Sequence, residues 1–144
     1  MNPQIIEPFL IVLLPVAGGL LSLKNYRAVS VAASVIEVAV SVIMYLSPDL
    51  SGIFYVTNVS KVFVIMVASV YFLSTIYSIE YLEEDSWLSH RYYFMLFNFF
   101  TASMMFALTV NNYGLMWVGI EATTISSAIL IMTENKLRYK SCRI

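Results

Sequence analysis

Residues 113–133 read YGLMWVGIEATTISSAILIMT, a run of 21 residues with a single charged side chain, that of Glu121. At about 1.5 Å per residue, a helix of this length crosses the roughly 30 Å hydrocarbon core of a bilayer. Apolar stretches of similar length recur along the chain at 5–23, 28–46, 62–79, 92–110 and 113–133. The sequence therefore predicts an all-α membrane protein with about five transmembrane helices.

The composition of the whole chain agrees with a membrane protein. Of its 144 residues, 60% are hydrophobic and only 12% are charged. Soluble domains are typically about 45–50% apolar and about 25% charged. A water-soluble fold of this length would have too little polar side chain to cover its surface. A soluble enzyme, a disulfide-stabilised secreted domain and a disordered chain are excluded together.

Residues that could carry enzyme chemistry are few. Cys142 and His90 are the only cysteine and the only histidine, which excludes an intrachain disulfide, a cysteine metal cluster and a bis-histidine haem site. The sequence contains neither a glycine-rich phosphate loop nor a Ser/His/Asp triad. The net charge of −1 gives no indication of nucleic-acid binding. We therefore expect the lipid bilayer as surroundings, no cofactor in this chain and no nucleic-acid partner.

Basic residues are distributed unevenly between the connectors. One set of connectors, with the C-terminal tail, contains Lys24, Arg27, Arg91, Lys136, Arg138, Lys140 and Arg143. The other set contains Lys61 alone. Because basic residues accumulate in cytoplasmic connectors, the predicted topology has the N-terminus outside and the C-terminus in the cytoplasm. Residues 1–144 then form a single transmembrane domain of a multi-pass cell-membrane protein, and residues 134–144 form its basic cytoplasmic tail.

Glu121 is the first candidate functional residue, because it lies mid-way along the last apolar stretch. A carboxylate at that depth costs a few kcal/mol on insertion scales, so it is expected to face protein or water. Its helix is rich in small and hydroxylated residues, which suit close helix packing: Gly119, Ala122, Thr123, Ser126 and Ser127. Two interpretations follow: a carboxyl that takes up and releases protons, or a neutral structural glutamic acid.

Glu37 is equally central in the stretch 28–46. A polar stripe at helical spacing runs through it, formed by Ser30, Ser34, Glu37 and Ser41. This stripe either lines a water path or docks against a partner helix; the alternative is a protonated glutamic acid held by neighbouring helices. Glu37 is therefore a candidate for a polar pathway. A second candidate is Thr124, which lies three residues after Glu121 in the stretch 113–133.

Helix-packing residues form a separate group of candidates. Asn98 and Thr101, three residues apart, suit hydrogen bonding between helices. We interpret Asn98, Gly119, Ala122 and Ser126 as packing residues. We also expect the small face of the fifth helix to be covered by another chain, because five helices offer little protein to bury it.

From residue 76 onward, the order of motifs is specific. IYSIEYLEEDSW at 76–87 is followed by RYYFMLFNFFTASMM at 91–105, an asparagine-containing turn at 111–112 and MWVGIEATT at 116–124. This order resembles the antiporter-like membrane subunits of respiratory complex I, of membrane-bound (formate-hydrogenlyase-type) hydrogenases and of multisubunit Mrp-type sodium/proton antiporters. The resemblance covers about residues 60–133, whereas residues 1–59 match in helix layout only.

The resemblance implies that Glu121 is an ion-pathway residue whose proton affinity is modulated by a lysine on a later helix. It also implies an N-terminus outside the cell. Family members continue through many more helices in two inverted repeats, with lysines on broken helices. Here the tail TENKLRYKSCRI is polar and basic, and the apolar stretches contain no lysine. The resemblance is therefore to the N-terminal portion only, without a complete proton path.

Three functions are compatible with these features. The first is a membrane subunit, or an N-terminal fragment of one, of a complex that translocates protons or sodium, such as a non-redox subunit of an NADH-quinone oxidoreductase or hydrogenase. The second is an accessory structural module that assembles with other membrane subunits of such a complex without moving ions. The third is a small self-standing transporter that acts as an oligomer.

The predicted topology is tested by cysteine-accessibility labelling. Cys142 lies in the basic tail and is expected to react only from the cytoplasmic side. An introduced cysteine, Asp49→Cys, is expected to react only from outside, because it lies in the connector that contains Lys61. The opposite pattern would contradict both the topology and the resemblance.

Overall fold

The computed structural model describes residues 3–48, 54–81 and 87–141. These residues form the helices α1 (Pro3–Leu46), α2 (Asn58–Tyr81), α3 (Trp87–Thr109) and α4 (Tyr113–Ser141). Segments long and apolar enough to cross a membrane are Arg27–Leu46, Asn58–Ile79, Arg91–Thr109 and Tyr113–Met132, and the shorter apolar segment Ile6–Leu21 precedes them. The all-α, multi-pass architecture of about five membrane helices is thereby confirmed.

Helix α1 contains two of the predicted spans and reverses direction between them. A straight helix of 44 residues would separate Glu7 from Ser47 by about 60 Å. Instead, the Ser47 hydroxyl donates a hydrogen bond of 3.0 Å to Glu7 Oε1, and Gly18 lies directly against Ala33. Both pairs are centred near residues 25–27, so Ile6–Leu21 (the first arm) and Arg27–Leu46 (the second arm) run antiparallel.

The connector that the sequence predicts at residues 24–27 is therefore not an extended loop. These residues keep helical backbone through the reversal. Helical turns satisfy the backbone N–H and C=O groups locally, which a short irregular turn at a membrane surface would leave to water. The reversal falls at the short connector predicted between the stretches 5–23 and 28–46, and the residues of this connector are helical.

Helix α3 is the central element of the bundle. It packs against α1 on one side and α4 on the other, with a smaller contact to α2, while α2 packs mainly against α1. Among the described elements, α4 contacts α3 alone. The apolar core consists of Ile11, Met44, Val56, Val64, Ala68 and Met105. Helix α4 is thus peripheral, and most of its surface is open.

Gly18 brings the two arms of α1 and helix α3 to one point. A Cβ atom at Gly18 would lie 2.9 Å from Ala33 Cβ and 3.3 Å from Asn98 Oδ1. One at Gly19 would lie 3.2 Å from Asn98 Cβ and 3.4 Å from the carbonyl oxygen of Met95. Because neither residue has a side chain, the helix backbones approach closely, which is how membrane helices gain dispersion energy.

The described connectors show which segments share one end of the bundle. Tyr55 N–H donates to the carbonyl oxygen of Thr109 at 3.0 Å, and Lys61 Nζ donates to the carbonyl oxygen of Ser47 at 2.6 Å. With the Glu7–Ser47 bond, these contacts place the start of α1 beside the α1–α2 and α3–α4 connections. The reversal within α1 and the C-terminal end of α4 then lie at the opposite end, as five alternating spans require.

Helix α4 extends past the predicted end of its span at residue 133 and continues to Ser141. Its 29 residues exceed the roughly 20 that cross a bilayer, so the basic segment prolongs the helix beyond the hydrocarbon core. Cys142, Arg143 and the acidic turn at 82–85 lie outside the described residues, as does Asp49. The orientation of the bundle in the membrane stays a prediction.

Substitution of Gly18 tests the close approach. Gly18→Ala is expected to lower the thermal unfolding temperature, because overpacking typically costs about 1–3 kcal/mol and the new Cβ would overlap Ala33. Circular dichroism of the detergent-solubilised chain measures the effect. Ala17→Val is the control, since Ala17 is exposed and extra methyl groups there meet no neighbour. Equal unfolding temperatures for parent and Gly18→Ala would contradict the arrangement.

Candidate ion-translocation site

Glu121 lies near the middle of the membrane segment of α4, Tyr113–Met132. At 100° per residue, Gly119, Thr123 and Ser126 occupy the side of the helix opposite Glu121. Gly119 and Ser126 are buried, whereas the side chain of Glu121 is exposed. Because α4 packs only against α3 among the described elements, the Glu121 carboxyl points away from the bundle.

The open face around Glu121 is otherwise apolar. Its large members are exposed by about half or more of their surface: Trp117, Val118, Ile125 and Met132. An apolar surface of this kind suits contact with lipid or with another membrane helix. A carboxyl in the middle of it suits lipid poorly, since an ionised side chain at the bilayer centre costs a few kcal/mol. The face therefore combines a membrane-compatible surface with one group that requires water or protein.

The small residues of α4 pack against α3. A Cβ atom at Gly119 would lie 2.9 Å from Ala107 Cβ and 3.2 Å from both its Cα and its backbone N. The Ser103 and Thr123 hydroxyl oxygens, one from each helix, are 3.1 Å apart. The structure thus places α3, rather than another chain, over Gly119. The expectation of a partner chain on this small face is wrong, because Ser103 and Ala107 supply the complementary small surface within the chain.

Ala122 and Ser126 belong to the same side of α4. Ala122 is half-buried, and the Ser126 hydroxyl, which is fully buried, donates to the carbonyl oxygen of Ala122 at 2.7 Å. This bond satisfies the hydroxyl within its own helix, so Ser126 presents a compact surface to α3. The assignment of these residues to helix packing stays a prediction, although their positions are compatible with it.

Thr124 lies beside Glu121 on the open face. Its hydroxyl donates to the carbonyl oxygen of Glu121 at 2.8 Å, so its proton is used within the helix and only its lone pairs face outward. Glu37, the other predicted pathway residue, lies in α1, which does not pack against α4. Within the described residues, the structure does not bring Glu37 and Thr124 together.

Glu37 lies in the core of the bundle, in contrast to Glu121. Its side chain is 0% exposed, and neither carboxyl oxygen has a hydrogen-bond partner. The other members of its polar stripe, Ser30, Ser34 and Ser41, are also fully buried. Ser34 and Ser41 donate to the carbonyl oxygens of Val31 and Val38 on the same helix. The stripe therefore faces the interior of this chain.

Asn98 joins α3 to α2 at the same level of the core. Its Nδ2 donates to the carbonyl oxygen of Phe94 at 2.6 Å, and its Oδ1 accepts a hydrogen bond from the Tyr71 hydroxyl. Tyr71 also packs on Phe97 with ring centroids 5.5 Å apart, and it lies within electrostatic range of Glu37. Asn98 is thus at a helix–helix contact, and its place there agrees with the packing role predicted for it.

Two functional-looking residues, Tyr71 and Lys61, are absent from the sequence-based candidates. Tyr71 lies mid-span in α2 rather than at a membrane interface. A buried tyrosine hydroxyl needs a hydrogen-bond partner, so this position in the sequence could have indicated a polar contact inside the bundle. Lys61 is only 3% exposed and holds the carbonyl oxygen of Ser47. Nothing in the sequence connects Lys61 to Ser47, because that contact depends on how α1 and α2 pack.

Metal ligands do not cluster in the described part of the chain: no group of three or more His, Cys, Asp or Glu side chains comes together there. The two mid-span carboxyls have different surroundings: Glu121 is exposed on the open face of α4, and Glu37 is enclosed in the core. Within the described residues, Glu121 is thus a single carboxyl on the open face, without a second acidic side chain beside it.

Curated proteins similar to this chain include subunits of NADH-quinone and NADH-ubiquinone oxidoreductases and a homolog of a hydrogenase component. NADH-quinone oxidoreductase subunit L of Mycobacterium tuberculosis is 36% identical over 76 residues, covering 53% of this chain and 12% of its own length. NADH-ubiquinone oxidoreductase chain 5 of Allomyces macrogynus is 36% identical over 96 residues, covering 61% of this chain and 14% of its own. The hydrogenase-4 component F homolog of Methylacidiphilum infernorum is 27% identical over 133 residues, covering 84% of this chain and 28% of its own.

The chain is a partial-length relative of the antiporter-like membrane subunits. Its relatives are subunits of multisubunit complexes, and the resemblance drawn from the motifs at 76–124 is confirmed. The matched part of the chain spans between 12% and 28% of the length of these relatives. No family model matches it, and no solved structure matches it. Because the hydrogenase relative covers 84% of the chain, the relationship also includes part of residues 1–59.

The α3–α4 contact is tested by cross-linking. In a Cys142→Ser background, the pair Ser103→Cys and Thr123→Cys is expected to form a disulfide, since the native hydroxyl oxygens are 3.1 Å apart. Adding Gly119→Ala is expected to reduce the yield, because its Cβ would meet the backbone of Ala107.

The control for this experiment is Ala128→Val on the exposed side of α4. This substitution adds volume to the same helix without reaching α3, so the disulfide yield is expected to stay unchanged. A yield that Gly119→Ala leaves intact would contradict the close packing of Gly119 on Ala107.

Proposed function

We propose that this chain is the N-terminal helical portion of an antiporter-like subunit, in which Glu121 takes up and releases the translocated ion, a proton. The observation that carries the proposal is the position of Glu121: mid-span on α4, pointing away from α3, on an exposed face. A carboxyl in that place requires water or a polar partner. The relationship to the antiporter-like subunits supports an ion pathway as the reason for its presence.

The chemistry required of Glu121 is a change between two protonation states. A neutral carboxyl can donate one hydrogen bond, whereas a carboxylate only accepts, so each state prefers different neighbours. A cation approaching the open face would favour release of the proton, and its withdrawal would favour uptake. The resemblance implies that a lysine on a later helix acts in this way. Sodium in place of the proton is the alternative ion for the same carboxyl.

The partners proposed for this chain are other membrane helices of a multisubunit complex. Since the relatives include NADH-quinone oxidoreductase and hydrogenase subunits, the host complex is proposed to be of one of these kinds. Redox chemistry would then take place in other subunits, and this role requires no cofactor or nucleic acid bound by the chain. Helices that cover the open face of α4 would supply the remainder of the ion path.

An accessory structural module is the second candidate function. The observation in its favour is the separation of the two mid-span carboxyls: Glu37 in α1 and Glu121 in α4 lie on helices that do not pack together. In this function the chain would anchor neighbouring subunits through the open face of α4, and Glu121 would serve as a neutral hydrogen-bonding group.

The two functions are distinguished by Glu121→Gln in the assembled host complex. Glutamine keeps the shape and hydrogen-bonding capacity of glutamic acid but cannot release a proton. Ion translocation, measured as a pH gradient across inverted membrane vesicles, is expected to fall to the level of vesicles without substrate. Assembly, measured by native electrophoresis, is expected to be unchanged.

Glu7→Gln is the matched control, since Glu7 is a carboxyl of the same chain near one end of the bundle, bonded to Ser47. It is expected to leave translocation intact. Undiminished translocation in Glu121→Gln would establish the accessory function. The chain reconstituted alone in liposomes is expected to show no ion-gradient-driven proton exchange; exchange abolished by Glu121→Gln would instead indicate a self-standing transporter.

A further inference from the structure

The Glu37 carboxyl is enclosed by the bundle, and no basic side chain of the described residues forms a hydrogen bond with it. The nearest basic residues on its own and adjacent helices are Arg27, Lys61 and Arg91. Arg27 precedes Glu37 by ten residues on the same arm, which corresponds to about 15 Å along the helix axis. Lys61 holds the carbonyl oxygen of Ser47 at the end of the bundle. An ionised carboxylate without a nearby cation is very costly in such a place.

The titratable groups on the other helices around Glu37 can be located by their height along the helix axes. Arg91 on α3 precedes Asn98 by seven residues, or about 10 Å along the axis. On the first arm, the register of the hairpin places Pro15, which is fully buried, opposite Glu37. The titratable group of α2 in this region is Tyr71, whose hydroxyl bonds Asn98 Oδ1. Asn98 and Ala33, which is one helical turn before Glu37, both lie against Gly18. Glu7, the acidic residue of the first arm, is bonded to Ser47 at the end of the bundle.

Hydrogen-bond directions around Tyr71 follow from the amide of Asn98. Its Nδ2 can only donate and is bonded to the carbonyl oxygen of Phe94 at 2.6 Å. The amide orientation is therefore determined, and Oδ1 faces the Tyr71 hydroxyl. Since Oδ1 can only accept, the single hydroxyl proton of Tyr71 is directed to Asn98. Towards any other group, the Tyr71 oxygen can act only as an acceptor.

The Ser34 and Ser41 hydroxyl groups, on the same helix as Glu37, also donate their protons to other acceptors. Ser34 donates to the carbonyl oxygen of Val31 at 2.9 Å, and Ser41 donates to that of Val38 at 2.8 Å. Ser30, whose hydroxyl has no partner, is seven residues away, about 10 Å along the axis. The Ser34, Ser41 and Tyr71 oxygens can therefore only accept a hydrogen bond from Glu37, because each already donates its own proton elsewhere.

The first arm adds a further acceptor to this region. Pro15 has no backbone N–H, so the carbonyl oxygen of Ile11 lacks its usual donor within the helix. Ile11 is fully buried in the core, and the antiparallel register places it at about the level of Ser41. A carboxylate here would add two more acceptors to a core that already has an excess of them. A protonated carboxyl would supply the missing donor.

We propose that Glu37 is a second proton-binding site of this chain, at which a neutral carboxyl donates through one buried water to the Tyr71 oxygen that Asn98 holds in place. A buried water requires two to four polar partners; the Glu37 carboxyl and the Tyr71 oxygen would be two of them, and the Ser34 and Ser41 oxygens on the same face of the helix keep free lone pairs. This site is independent of the role proposed for Glu121, because α1 and α4 do not pack together.

Infrared difference spectroscopy tests the proposal directly. The full chain is reconstituted in liposomes in a sodium-free choline buffer at neutral pH. We expect the carbonyl-stretch band of a protonated carboxyl, which moves to lower frequency in D2O because the proton exchanges. All samples carry Glu121→Gln, so that the exposed mid-span carboxyl of α4 adds no band of its own. In that background Glu37→Gln is expected to abolish the band, whereas Glu7→Gln is expected to retain it.

Tyr71→Phe provides a second readout that does not remove the carboxyl. It keeps the ring against Phe97 but removes the oxygen that accepts from the site, so the band is expected to persist at higher frequency. This shift identifies the Tyr71 oxygen as the acceptor even where Glu37→Gln fails to fold, a condition that circular dichroism detects. Tyr93→Phe is the control, since its hydroxyl lies near Ser78 on the far part of α2, and it is expected to leave the frequency unchanged.

Several results would overturn the proposal. A band that survives in folded Glu37→Gln, or that shows no shift in D2O, would exclude an exchangeable proton on Glu37. An unchanged frequency in Tyr71→Phe would exclude the Tyr71 oxygen as its acceptor. Loss of the band on replacing choline with sodium would identify a sodium site, since a core lined by oxygen lone pairs also suits a hard cation.

Discussion

The amide of Asn98 connects three helices of the described bundle. It donates within α3 to Phe94 and accepts from Tyr71 of α2. It also lies against Gly18, where the first arm of α1 meets the second. A membrane offers no water to satisfy buried polar groups, so such an amide requires partners from the protein. The position of three helices around Asn98 is the consequence of that requirement.

The same constraint gives the two mid-span carboxyls opposite surroundings. Glu37 is enclosed by both arms of α1, α2 and α3, and the lone pairs around it favour a proton-carrying form. Glu121 lies on the far side of α4, which is supported by α3 alone. One carboxyl is thus enclosed by the chain without a direct hydrogen-bond partner, and the surroundings of the other depend on what covers α4. This asymmetry supports the proposal that Glu121 carries the ion transfer.

Hydropathy and spacing alone predicted the helices, their number and the places where the chain reverses, because spanning length and apolar composition are local properties of the sequence. The motifs at 76–124 predicted the relationship to antiporter-like subunits. The helical conformation of the connector at 24–27 was not predicted; it keeps the backbone N–H and C=O groups bonded through the reversal. Asn98 was recognised as a packing residue, while Tyr71, its partner, was missed.

The sequence by itself determined that Glu37, Glu121 and Asn98 lie at membrane depth, since depth follows from position within an apolar stretch. Only the tertiary structure decided which of them is enclosed. The polar stripe of Glu37 and the small stripe of Glu121's helix look alike in the sequence. Gly119 packs on Ala107 and turns Glu121 outward, whereas Gly18 packs on Ala33 and Asn98 and closes the core near Glu37. Those contacts join residues far apart in the chain, and no local pattern specifies them.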